Sequence, residues 1–398
     1  MFLAAFPYFQ MRFADNDRIL ASFQSAITSV SSVTNLISML VLANMQSKAS
    51  YPRRILSSLI INLVIFSLLA ISTKYFRGIS STGYLVFTLI MVFSSSIATG
   101  LCQNGAFAFA ASFGRPEYLQ AIMTGQAVAG VLPSIAQIVT ILAIPEPDNY
   151  SDVAGAVAVP TKENTTSAFV YFLTATGISG LCLLSMLPLI RKHNRIMQNQ
   201  MNGSVSSVEE LERSKRKVVS MWTLYKKLHW LAAAVFICFL ITMFFPVFTG
   251  KVVSVVPADD APRILQPNVF IPFAFLVWNA GDLLGRLSTY ISFPAGAKYR
   301  RPQLLLLFAI LRSVFVPIYL LCNIENHGAV IKSDIFYLFI QQLLFGATSG
   351  WLGSYCMIDF ALLVEEGERE AAAGFMALNL VAGIMCGALL SFSASGVH

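Results

Sequence analysis

Residues 267–293 read PNVFIPFAFLVWNAGDLLGRLSTYISF, an apolar run long enough to cross a hydrocarbon core but interrupted near its middle by Asn279, Asp282 and Arg286. On a helix the four-residue spacing of Asp282 and Arg286 stacks the two charges on one face. Charge is expensive inside a bilayer, so such residues face a protein-lined or water-filled interior and mark the path of a solute or ion. A carboxylate and a guanidinium together present strong acceptors and donors that sum to about zero charge. That combination suits a neutral, hydroxyl-rich solute such as a sugar better than an ion. The plainer reading is an ion pair that only stabilises its helix.

The surroundings of this stretch set its context. The 398 residues are 56% hydrophobic and 12% charged, with a mean hydropathy of +0.68, where an ordinary soluble domain carries about 25% charged residues. This is the composition of a membrane protein. Apolar runs of roughly 20 residues or more, the length a bilayer demands, occupy 20–43, 55–74, 84–109, 119–144, 168–190, 229–249, 267–293, 304–322, 336–362 and 372–395. Met1–Gln10 is too short to span and has no basic region before it, so it reads as the distal half of a first helix, not as a secretory signal. The expectation is an all-α, polytopic helical bundle of eleven crossings whose first helix is truncated.

Lysine and arginine set the orientation, because basic residues in short loops stay on the cytoplasmic side. One set of alternate loops holds Lys48, Arg53 and Arg54, then Arg115, a long basic segment from Arg191 to Lys227, then Lys298, Arg300 and Arg301, and finally Arg369. The opposite set is poorer, with Arg12, Arg18, Lys74, Arg77, Lys162, Lys251, Arg263 and Lys332. The first set is therefore assigned to the cytoplasm. The glycosylation sequons at Asn149 and Asn164 then fall outside, as the acceptor motif needs, and the one at Asn202 falls inside and stays unmodified. The segment 191–228 mixes basic residues with Gln, Asn, Ser and Glu, as a linker does. It divides the chain into an N-terminal half, 1–190, with six crossings counting the partial first helix, and a C-terminal half, 229–398, with five.

Several functions are disfavoured. The net charge of +7 is concentrated in that one loop, so it is not a nucleic-acid footprint; the plain reading is topology retention, and contact with anionic lipid headgroups is the other. The six cysteines stand singly in apolar runs without C-x-x-C spacing, and the four histidines are scattered. No metal site, cofactor or catalytic residue is expected. An enzyme would need a nucleophile and base or a metal cluster, and a seven-helix receptor conflicts with the crossing count.

Other polar residues interrupt the apolar runs: Gln103 and Asn104, Gln126, Gln341 and Gln342, Arg312 and Asp359. Each buried amide must find a partner, in a neighbouring helix or in a solute. Arg312 and Asp359 read as structural partners within the bundle or as snorkelling side chains. Gly125, Ala129, Gly130, Gly346, Gly350, Gly353, Gly374, Gly383 and Gly387 permit close helix approach. Pro133, Pro246 and Pro317 are positioned to kink their helices.

In this order the residues resemble the equilibrative nucleoside transporter family, solute carrier family 29. Asn279 to Arg286 is similar to the family's D-x-x-G-R signature with its preceding asparagine. Gln103-Asn104-Gly105 resembles the fourth helix's glutamine site, Gly125-Gln126 with Ala129-Gly130 the fifth helix's G-Q-x-x-A-G, and Gly350 to Met357 the tenth helix's G-x-L-x-S-x-C-M. Met1 to Phe9 resembles the end of the first helix; the tryptophan and asparagine that the family carries just before that point are absent from this sequence. The resemblance implies a major-facilitator-like fold whose six-helix and five-helix halves rock about a central cavity. It implies facilitative carriage of purine and pyrimidine nucleosides, sometimes nucleobases, across the plasma membrane or a vacuolar or lysosomal membrane. In family terms Asp282 and Arg286 hold the ribose, Asn279 supports them, Gln103 reads the base and Ile384 makes an apolar contact. A proton-coupled carrier of an acidic organelle is the alternative, in which Asp282 takes up a proton; the adjacent Arg286 argues for a persistently ionised carboxylate.

Overall fold

A computed structural model describes residues 6–45, 50–76, 78–143, 163–198, 217–257, 262–292 and 301–394. Among them the only β feature is an isolated bridge between Val252 and Ile324; the rest is helix and connecting turns. The long helices are α2 (Asp17–Asn44), α3 (Tyr51–Tyr75), α4 (Ser81–Ser112), α5 (Pro116–Ala143), α6 (Glu163–Gln198), α7 (Met221–Thr242), α9 (Pro267–Ser292), α12 (Phe345–Asp359) and α13 (Arg369–Ala394). Shorter pieces are α1 (Phe6–Phe13), α8 (Phe245–Thr249), α10 (Pro302–Leu311) and α11 (Phe315–Ile318). Among the described residues eight helical stretches are long and apolar enough to cross a membrane. Their outer faces carry exposed Ile37, Val41, Leu181, Leu184, Leu307 and Leu389, as surfaces that meet lipid do.

The prolines act as the sequence suggests in two places. Pro246 opens α8 just after α7 stops at Thr242, and Pro317 lies where α10 gives way to 3-10 turns at Arg312–Val314 and Tyr319–Leu321. Pro133 is carried inside a continuous α5. The run 336–362 is not one uniform helix. Phe336–Leu344 is wound as a π-helix before α12 begins, an uncommon winding often found where function requires a bulge. Sequons Asn149 and Asn202 and the basic segment 199–216 lie outside the described residues, while Asn164 falls in the first turn of α6.

The chain divides into two compact units, Met1–Phe109 with Asn149–Val218, and Ala110–Asp148 with Val219–His398. In the first unit α3 packs on α6, and a core of Phe9, Phe13, Phe23, Phe66, Leu69, Tyr84 and Phe172 collects around it. Tyr84 links that core through hydroxyl contacts to Tyr8 (3.0 Å) and Ser72 (3.0 Å). Arg12 donates to the carbonyls of Phe76 and Ile79, in the turn that follows α3. Arg54 does the same for α2, donating to Leu42 O (3.2 Å) and Met45 O (2.7 Å), and it also bonds the side chain of Asn104.

In the second unit helices meet through glycine. A Cβ at Gly383 would strike the Phe236 carbonyl and one at Gly387 the Leu240 carbonyl, so α13 lies directly on the α7 backbone. The contact of α9 with α12 is reciprocal: Gly281 and Gly285 face Leu343 and Ala347, and Gly346 and Gly350 face Trp278 and Asp282. Small residues without side-chain bulk are what let membrane helices gain dispersion contact at this range. One end of the unit is tied by Lys227 to buried Glu368 at 2.6 Å, and Glu365 and Glu368 form a capping box ahead of α13.

Candidate functional site

Helix α9 has two differently used sides. Leu284, Leu287 and Ile291 are exposed, while Gly281 and Gly285 press on α12 and the charged couple points inward. Arg286 Nε donates to Asp282 Oδ2 at 2.7 Å, the one-turn pairing expected of that spacing. The two side chains are only 9% and 17% exposed respectively, so the pair is largely, though not fully, withdrawn from solvent.

The guanidinium is also held from α5. Its Nη1 donates to the Met123 carbonyl at 2.8 Å and to Gln126 Oε1 at 3.3 Å. Among the described residues no protein group bonds Arg286 Nη2 or Asp282 Oδ1. An acceptor and a donor side by side, neither used by the protein, are what two neighbouring hydroxyls of a sugar would engage.

Asn279 lies on the same face of α9, two turns before Arg286. Its Nδ2 donates to Ser134 Oγ of α5 at 3.2 Å and to the Phe275 carbonyl at 2.8 Å. It approaches α5 closely because position 130 is glycine: a Cβ there would lie 2.6 Å from Asn279 Oδ1. Beyond Arg286, buried Gln120 donates to buried Thr289 Oγ1 at 2.8 Å. The α5–α9 seam is thus closed by Ser134–Asn279, Met123 and Gln126–Arg286, and Gln120–Thr289 in succession along antiparallel helices.

The remaining candidates fall elsewhere. Ile384 is half-buried on α13, beside the glycines that face α7. Gln103 is half-buried on α4 in the first unit, and its Oε1 is buried without a hydrogen-bond partner among the described residues. Asn35 Oδ1 on α2 is in the same condition, and a Cβ at Gly100, one turn before Gln103, would lie 3.4 Å from it. Asn104, adjacent to Gln103 in sequence, is committed to Arg54.

Arg312 is bonded by the protein on all three guanidinium nitrogens. It is 1% exposed and donates to Thr348 Oγ1 (3.2 Å), Cys238 Sγ (3.0 Å) and the Phe345 carbonyl (3.4 Å), with its guanidinium over the Phe345 ring at 4.5 Å. No carboxylate lies within ion-pair distance of it among the described residues. Asp359 is equally buried. No group of three or more His, Cys, Asp or Glu positioned for a metal occurs among the described residues.

Met123, Ser134, Gln120 and Thr289 were not singled out by the sequence. Gln120, Ser134 and Thr289 carried a usable signal, being polar within otherwise apolar runs, but Met123 acts through its backbone carbonyl, to which side-chain chemistry gives no clue.

Comparison with known proteins bears on family and fold. The chain resembles the Nucleoside transporter FUN26 of Saccharomyces cerevisiae, 28% identical over 98% of this chain and 80% of that protein. It resembles human Equilibrative nucleoside transporter 1, also 28% identical, over 85% of this chain and 75% of the relative. Among solved structures the Major Facilitator Superfamily transporter FucP, in its outward conformation, matches with a TM-score of 0.54 at 14% identity, covering 99% of this chain and 91% of FucP. At that identity the likeness concerns the fold alone, which is all-helical and major-facilitator-like. The model of the family described as "Nucleoside transporter" matches residues 89–395, from within α4 past the end of α13 and across the whole α5–α9 seam. With the signature helix, the fold and the family model in agreement over most of its length, the chain belongs to the nucleoside transporter family.

Proposed function

We propose that Asp282 and Arg286 are the ribose-binding pair of an equilibrative nucleoside carrier that works by alternating access. Membership of the family makes the chain a multi-pass membrane transporter, not an enzyme, with nucleosides as its solutes. The observation that carries the site is the unused pair of atoms, Asp282 Oδ1 and Arg286 Nη2, on a couple whose other atoms are already held. Vicinal ribose hydroxyls donate to the first and accept from the second. Asn279 supports the pair from the same helix face, Gln103 reads the base through its unpartnered carbonyl oxygen, and Ile384 supplies an apolar contact.

Eleven crossings, the first of them the partial helix Met1–Gln10, are arranged in this reading as a six-helix half over 1–190 and a five-helix half over 229–398, joined by 191–228. Helix α5 falls within 1–190 in this reading, although it packs in one compact unit with α9. A solute shifts such a carrier between states only through differential affinity for them, and a pair anchored to α5 is placed to sense that seam. The basic linker meets anionic headgroups of the host membrane, plasma or vacuolar or lysosomal.

Proton coupling is not supported. Relatives are named equilibrative transporters, and Asp282 is engaged as an ion pair with Arg286. The test is uptake of radiolabelled uridine into proteoliposomes. Asp282→Ala and Arg286→Ala each leave the other charge uncompensated, at a cost of about 3–5 kcal/mol, and are expected to abolish uptake; unaltered flux in either variant overturns the assignment.

A further inference from the structure

We infer that Gln126 is a positioning residue for solute recognition, one that keeps the Arg286–Asp282 couple open to a sugar. The inference rests on the ribose-binding reading above and adds a residue to it. A guanidinium carries its N–H groups along distinct edges of a rigid plate. The Nε and Nη2 hydrogens share one edge, and Nη1 lies on the other side. A carboxylate beside the Nε–Nη2 edge gains most by sliding into a side-on bidentate pair that uses both of its oxygens. Such a pair would consume Asp282 Oδ1 and Arg286 Nη2 together and leave a solute nothing to bind.

Here the slide has not occurred. Asp282 holds Nε alone, and Nη1 is drawn toward α5 by two acceptors, the Met123 carbonyl at 2.8 Å and Gln126 Oε1 at 3.3 Å. These two acceptors sit three residues apart, on one face of α5. Their placement against α9 is set on either side by Ser134–Asn279 and Gln120–Thr289. The plate is therefore pinned from its far side, and the edge facing Asp282 keeps one donor and one acceptor unspent. Gln126 is half-buried and makes no other side-chain hydrogen bond among the described residues. A glutamine in an apolar helix with a single bond, made to the solute-binding cation, is explained by that bond.

The proposal separates from a structural role by substrate chemistry. Because Gln126 acts only through the atoms that meet ribose hydroxyls, its loss should matter for a solute that has those hydroxyls and not for one that lacks them. The experiment measures KM and maximal flux of the full chain in proteoliposomes for uridine and for 2′,3′-dideoxyuridine. For Gln126→Met, similar in shape but without the acceptor, the KM of uridine is expected to rise about tenfold, as for loss of one charge-assisted bond, with the dideoxynucleoside within about twofold of the parent value. Gln126→Glu keeps an acceptor at the same reach and is expected to retain discrimination between the two solutes. Equal weakening for both solutes, or discrimination unchanged in Gln126→Met, overturns the proposal. If Gln126→Met does not fold, Gln126→Glu decides alone: loss of discrimination in a folded Glu variant overturns it and retention supports it. Should the parent protein itself fail to distinguish the two solutes, the ribose-binding reading falls first.

Discussion

The α-carbon of Gly350 on α12 rests against the backbone carbonyl of Asp282, so closely that a methyl group at position 350 would overlap that oxygen. The residue that presents the carboxylate is thus backed by bare main chain. Its position relative to α5 is set by how far α9 can settle onto α12. Gly350→Ala is expected to force the two helices apart, costing about 1–3 kcal/mol or more, since backbone cannot step aside as a side chain can. The matched control is Gly125→Ala on α5, where a Cβ meets nothing within 4 Å; helix propensity makes that change neutral or slightly stabilising. Thermal midpoints in detergent together with uridine uptake check both. Equal behaviour of the two variants would count against the close α9–α12 contact.

How legible this was depends on distance along the chain. The Asp282–Arg286 couple is a one-turn relationship and could be read directly from residues 279–286. Helix bounds followed from apolar run length, and α9 runs over 267–292 where the sequence suggested 267–293. Among the described residues, however, eight stretches, α9 not among them, are long and apolar enough to cross a membrane, where the runs suggested eleven crossings. Partners were another matter. Gln103 and Asn104 look alike in sequence, yet Asn104 is bound to Arg54, fifty residues earlier, and Gln103 Oε1 is left unsatisfied. Gly130 reads as a packing glycine. That it makes room for Asn279 appears only once α5 and α9 are placed side by side. The π-wound stretch Phe336–Leu344 has the same apolar composition as the helix it feeds, so periodicity gave no warning of it.

Arg312 illustrates a buried cation with no carboxylate in ion-pair contact among the described residues. Its three nitrogens reach Thr348, Cys238 and the Phe345 carbonyl at once, over an aromatic face. A lysine can place one point charge but cannot span three acceptors. Arg312→Lys is expected to lose about 2–4 kcal/mol of stability while leaving the KM for uridine unchanged in the folded fraction. Thermal unfolding and uptake kinetics on the same preparation check this. A raised KM with an unchanged thermal midpoint would make Arg312 a solute ligand.

Orientation offers a chemical test. With the basic linker in the cytoplasm, Asn149 and Asn164 lie on the lumenal side and Asn202 on the other. Expression in a glycosylating host should give a product whose mobility shifts on glycosidase treatment. Asn149→Gln with Asn164→Gln should abolish that shift, and Asn202→Gln should leave it intact. Loss of the shift in Asn202→Gln alone would invert the topology.

Equilibrative transport makes a final demand on the ionic state of the couple. Arg286 Nε donates to Asp282 Oδ2 at 2.7 Å, and a proton added to that carboxylate would weaken the bond, because a neutral acid accepts less strongly than its anion. It would also leave an uncompensated guanidinium in a largely buried place, which is costly. The carrier therefore has no reason to load a proton with its solute, and the ion pair should persist through every state of the cycle. Uridine uptake into proteoliposomes is expected to be the same with and without an inward proton gradient, and a protonophore should leave the initial rate unaltered. Accumulation above the equilibrium level, driven by the gradient and abolished by the protonophore, would show that Asp282 or another buried group exchanges protons during transport.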